Sequence, residues 1–276
     1  MALLYHWLTD LFHRTSIRVC LLLETCLLVF VLVGVTKSTT QLETINFFGY
    51  KFPTISIGTL KSVEVLLLMI FHQSKLWILF IGLIGVSGFI GSNLQSPQIE
   101  MLLVCPVPRW KLILSQYVAS VFMFSLCVVY LCGSIWLMIG VKVGVWHMGF
   151  LVGSVFLCFA YSFCLPFFIW LIVWSKKPWF ALLIFYAYCY ISSGLEFRSE
   201  VFYSLWNNQL YHCLIDLLYF GLPQLDGMLA DASESVWQPD FWQALFSLPV
   251  HHYLWSLAIG SCYLIFANII FTKNDY

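Results

Sequence analysis

Few residues in this chain have the type and spacing to do chemistry. His212 and Asp216 stand four apart, so on a helix they share one face, and His251-His252 follows later. Imidazoles and carboxylates bind zinc, so these four could form a metal site. A solvated helix face with interfacial histidines accounts for them more simply, and no metal ligand is assigned. Glu196, Glu200 and Asp231 are acids that a membrane-embedded enzyme could use. No base or nucleophile is spaced to work with them, so they read as a solvated outer loop. Glu24 interrupts an apolar run, where a mid-bilayer carboxylate costs on the order of 3 kcal/mol. It reads as facing a water-filled path or partner helix, or as an interfacial carboxylate near Arg14 and Arg18. The remaining candidate is Gln95–Lys111, QSPQIEMLLVCPVPRWK. There an amphipathic stretch with Glu100 and Leu103 runs into Pro106-Val107-Pro108, then Arg109, Trp110 and Lys111.

Several chemistries have no motif here. The chain contains no G-x-x-x-x-G-K-[ST], H-E-x-x-H, G-x-S-x-G or glycine-rich dinucleotide fingerprint. ATP binding in the Walker mode is therefore not expected of it. Its zero net charge implies no bulk attraction to nucleic acid. The ten cysteines form no CxxC pair and fall mostly inside apolar runs, as small hydrophobes do.

The elements that must carry these residues follow from composition. Of 276 residues, 61% are hydrophobic and 9% charged, against about 25% charged in a soluble domain. Such a chain cannot cover a water-facing surface. The expected fold is an all-α integral membrane protein, one domain over 1–276, with six transmembrane helices. The spans are expected at 19–35, 76–94, 112–139, 150–174, 179–195 and 253–271. An amphipathic helix at 1–18 leads into the first, an uncleaved span rather than a signal peptide. Val63–Phe71 is too short to cross alone and reads as an interfacial helix. Gly49–Pro53 reads as a turn, and Pro166 should kink the fourth span. Gly82, Gly85, Gly88 and Gly91 recur every third residue in the second span and would permit close helix contact.

The outer segment 196–252 holds seven of the thirteen acids: Glu196, Glu200, Asp216, Asp226, Asp231, Glu234 and Asp240. Within it Val201–Leu222 looks amphipathic, with Ser204, Asn208, His212 and Asp216 in one polar stripe, as an outer interfacial or re-entrant helix. With both termini cytoplasmic, the inner cations are Arg14, Arg18, Arg109, Lys111, Lys176, Lys177 and Lys273. The outer ones are Lys37, Lys51, Lys61, Lys75, Lys142 and Arg198, spread over segments more than twice as long. Cation density therefore favours that orientation.

Leu94–Ser120 resembles the loop after the second span in permeases of the ABC type-2 exporter superfamily. The pattern there is roughly E-x-L-L-x-x-P-[IV]-x-R followed by an apolar helix with Lys-Tyr. Glu100, Leu102, Leu103, Pro106, Val107 and Arg109 occupy those places, while Gln116-Tyr117 stands where Lys-Tyr is usual. Leu222–Asp226 is similar to the turn before the family's last span, and the nearest subgroup is the one around multicopper-enzyme maturation. The resemblance implies that 95–111 is a coupling segment docking on a separate ATPase subunit through Glu100, Leu103, Pro106, Pro108, Arg109 and Trp110. It implies two ATPase copies carrying the ATP and magnesium, a second permease copy, a lipid-embedded non-catalytic role, and a bacterial inner membrane. Glu24, Gly85 and Gly88 are then expected at the translocation path or dimer seam. A membrane-embedded enzyme or a secondary transporter using the outer acids and histidines is the alternative.

Overall fold

The computed structural model describes residues 18, 21–22, 24–26, 28–29, 35–37, 45–47, 50–52, 62–95, 108–144, 146–196, 198, 203, 209–237, 242 and 250–273. The described residues of the expected first span are helical up to Val29, and Leu28 reaches the core. Val35, placed at the end of that span by the sequence, belongs instead to a strand. Strands β1 (Val35–Lys37), β2 (Ile45–Phe47) and β3 (Tyr50–Phe52) form an antiparallel meander. Phe47 pairs with Tyr50, so the chain reverses between them, and the turn expected at 49–53 is largely strand. Six of the nine strand residues are β-branched or aromatic, which suits a pleated surface.

Among the described residues seven helices follow: α1 (Ser62–Gln95), α2 (Arg109–Val143), α3 (Met148–Ser175), α4 (Pro178–Glu196), α5 (Gln209–Gly221), α6 (Leu225–Trp237) and α7 (Val250–Lys273). Among the described residues five stretches are long and apolar enough to cross a membrane: Leu67–Gly91, Arg109–Lys142, Met148–Ser175, Pro178–Glu196 and His251–Lys273. The chain is thus built as a multi-pass membrane protein. Helices α5 and α6 meet at 58° across a short break, the geometry of a broken span or a re-entrant loop.

The expected interfacial helix at Val63–Phe71 and the second span are one helix. No proline interrupts Ser62–Gln95, and polar residues such as His72 and Lys75 are compatible with helix if they find partners. At 34 residues α1 is about 51 Å long, well beyond the roughly 30 Å hydrocarbon layer.

Helix α3 is the hub. Of its most apolar window 72% is buried inside the chain, against 28% for α1 and 22% for α7. It packs most extensively on α6 and α7, then on α2 and α1. Hydrocarbon outside is as apolar as the helices, so this assembly depends on fit rather than on escape from water. At Gly153 an added Cβ would stand 2.8 Å from the Ala232 carbonyl oxygen and 2.7 Å from Val236, so α6 lies almost backbone to backbone on α3. The short links keep neighbours antiparallel. Gly144 caps α2 at φ 83° and Lys176 caps α3 at φ 56°, each donating its N–H to the carbonyl four residues back.

Pro166 lies inside continuous α3. Lacking an N–H, it leaves the carbonyl of Ser162 without its helical donor. Tyr117 of α2 supplies one, its hydroxyl donating to that oxygen at 3.0 Å. Backbone groups inside a membrane must be satisfied by protein. A Tyr117→Phe variant should therefore lose about 1–3 kcal/mol of stability, read as a lower midpoint of thermal unfolding in detergent. An unchanged midpoint would mean that another donor reaches Ser162.

The acidic segment departs furthest from expectation. Leu225, Met228, Leu229, Ala232 and Val236 of α6 are fully or almost fully buried, and Asp231 is only 4% exposed. Asp226 and Asp231 therefore belong to a packed helix, not to a solvated outer loop. The reason is a helical apolar stripe at spacings of three and four, which outweighs the acids between its members.

Candidate functional site

Three places gather the residues singled out by type. The first is one end of the helix bundle. Gly91, near the end of α1, abuts the ring of Pro178 at the start of α4; an added Cβ would sit 2.8 Å from it. Arg109, the first residue of α2, donates from Nη1 to the Thr272 carbonyl at 3.0 Å and the Phe271 carbonyl at 3.3 Å. These are terminal carbonyls of α7, which lack helical donors. A cation at the start of its own helix opposes that helix's dipole, but at the C-terminus of a neighbour it is favourable. Lys111 stacks over Trp110, which is 49% exposed. Together with Lys176, Lys177 and Lys273, this end carries five cations and, among the described residues, no acid. Pro108 caps α2 in an extended conformation and is exposed. Glu100, Leu103 and Pro106 lie outside the described residues.

The expected path or seam residues do not gather. Glu24 is half buried and lies within electrostatic range of Cys132, in the half of α2 far from Arg109. It is thus deeper than a position beside the cationic end. The glycines of α1 do not share a face, because steps of three turn about 60° short of a full circle each time. Gly82 abuts Phe124 of α2, and Gly91 abuts Pro178. Gly85 is buried, while Gly88 is exposed with open space around its Cα. Of the expected pair only Gly88 is turned outward for a second copy.

The second place is the break between α5 and α6, Leu222-Pro223-Gln224. Tyr188 of α4 donates its hydroxyl to the Pro223 carbonyl. The Gln224 N–H donates to Ser256 Oγ at 3.0 Å, and Gln224 Oε1 lies 2.8 Å from His252 Nδ1. His252 therefore secures the bend between helices. His212 and Asp216 do not converge with His251-His252 on a metal. Asp216 Oδ1 accepts from Arg198 Nε at 3.0 Å and from the Tyr203 hydroxyl at 2.6 Å, while Tyr203 stacks on His212. The Asp216 carboxylate pushes the Tyr203 phenol above its ordinary pKa. Among the described residues no three His, Cys, Asp or Glu side chains are placed to hold a metal ion.

The third place is absent from the sequence reading. A cavity of about 690 Å³ opens between α1, α4 and α6, and His72, Lys75, Asp226 and Glu234 line it. Lys75, expected as an outer flanking cation, is 9% exposed and donates to Ser233 Oγ at 2.7 Å and the Leu229 carbonyl at 3.1 Å. Asp226 lies within electrostatic range of Lys75 and His72. One signal was available: His72 and Lys75 are three apart in a proline-free run, so one helix face carries both.

No family model and no curated protein matches this chain. Its functional reading therefore rests on its own residues and geometry.

Proposed function

We infer that this chain is the membrane-spanning permease subunit of an ABC-type exporter. It acts as a half-permease with both termini cytoplasmic, pairs with a second copy, and takes its energy from two separate ATPase chains. The observation that supports this most is the Arg109 clamp. It joins the exit of the 95–111 segment to the last turn of α7. Helix α7 packs along α3, the hub. A displacement of the start of α2 by a partner would therefore move α2 and α7 together and reach the core. The five cations at this end, Arg109 among them, suit an intracellular position.

The test is a charge reversal away from the clamp. Glu100→Lys should abolish co-purification of the ATPase subunit from native membranes and reduce transport at least tenfold, with the permease still inserted and as stable as before. Retention of the ATPase by this variant would overturn the assignment. So would labelling of Cys105 by a membrane-impermeant maleimide from the outer face.

A further inference from the structure

We propose that the cavity between α1, α4 and α6 is a binding site for the headgroup of a zwitterionic phospholipid. The proposal does not depend on the export reading. The lining carries both signs of charge. Helix α1 contributes His72 and Lys75, whose ammonium reaches across to Leu229 and Ser233 of α6, and α6 contributes Asp226 and Glu234. An anion alone would lie against two carboxylates, and a cation alone would lie against an ammonium that is nine-tenths buried. A phosphate joined to an ammonium can set its anion against Lys75 and His72 and its cation against Asp226 or Glu234. Lys75 uses two of the three N–H bonds of its ammonium group on Leu229 and Ser233, so one remains for a phosphate oxygen.

The rest of the lining is aromatic. Phe80 and Tyr186 meet edge to face at 5.0 Å, Tyr186 and Tyr190 at 4.8 Å, and their two hydroxyls are 2.7 Å apart. Such rings favour an alkylammonium group on their faces. Trp77 and Tyr190 are among the most exposed aromatics in the chain and stand at the rim, beside exposed Leu76. That rim offers acyl chains an apolar surface continuous with the lipid-facing side of α1 and α4. The depth also fits. The uncharged part of α1 begins at Leu76, so His72 and Lys75 stand at the border of the hydrocarbon, where headgroups lie. The volume is that of an ordinary small-molecule site.

The test is native mass spectrometry of the full chain, stripped of lipid in detergent and titrated with phosphatidylethanolamine, phosphatidylglycerol and dodecylammonium. One phosphatidylethanolamine should be retained per chain, roughly tenfold more tightly than phosphatidylglycerol. Glu234→Gln should erase that preference; Glu234 is exposed, so this variant leaves the core untouched. Trp77→Ala should weaken retention of the whole lipid without changing headgroup preference. Equal retention of the two lipids, or a preference that survives Glu234→Gln, overturns the proposal. Dodecylammonium bound as tightly as phosphatidylethanolamine would make this a cation site and overturns it as well.

Discussion

A Gly153→Leu variant is expected to lose the docking of α6 onto α3 and with it the folded bundle. Even the first side-chain carbon at 153 would stand 2.8 Å from the Ala232 carbonyl oxygen, 2.7 Å from Val236 and 3.2 Å from Ser235 Oγ. Val236 and Ser235 could adjust, but a backbone oxygen cannot rotate away. Helix α6 would have to retreat from α3, and with it the Lys75 contacts to Leu229 and Ser233. Overpacking a tight core costs typically 1–3 kcal/mol. Here a whole interface parts, so a loss of more than about 3 kcal/mol is expected. The measurement is the midpoint of thermal unfolding in detergent beside Gly88→Ala, which adds a methyl group to open space and should not lower the midpoint. Equal midpoints for the two variants would mean that α6 does not lie on α3 at Gly153.

Arg109→Glu should be the most damaging single change at the cationic end. It removes two hydrogen bonds from a charged donor to the last carbonyls of α7. Such bonds contribute about 1.5–3 kcal/mol each when shielded, and less here because one of the two is exposed. It also places a carboxylate against the negative end of a helix dipole, for up to about 1 kcal/mol more. A combined loss near 2–3 kcal/mol is expected, with α7 released from the start of α2. A lower midpoint of thermal unfolding in detergent than that of the unaltered chain reads the loss. Arg109→Lys keeps the charge, but its shorter side chain stops about one bond short of the Nη1 position, so it should recover only part of the loss. On the export reading, transport lost in Arg109→Glu would mix loss of the clamp with a weakened partner contact, which is why the partner contact is tested at Glu100 instead.

The glycines of α1 show how far a spacing argument carries. Their small size correctly marks close approaches, at Gly82 to Phe124 and at Gly91 to Pro178. Their common face does not follow, because a period of three drifts around a helix of 3.6 residues per turn. Asp226 and Asp231 differ from expectation for a related reason: the apolar stripe from Leu225 to Val236, not the charges between its members, decides where the helix packs. Lys75 read as a flanking cation because its partners, Leu229 and Ser233, lie more than 150 residues along the chain.

The sequence by itself determined that this chain lives in a membrane, and it located five of its crossing helices to within a few residues at most of their ends. Composition and uninterrupted apolar length are local properties, and lipid demands long helices whatever their neighbours are. It also marked Arg109 as a residue of consequence, though for a partner chain. Only the tertiary structure decided that Arg109 holds α7, that Tyr117 serves the carbonyl freed by Pro166, and that an acid-bearing helix fills the core beside Gly153. Each of these joins residues far apart in the chain, through unsatisfied backbone groups or close packing. Such demands become visible only when the helices stand side by side.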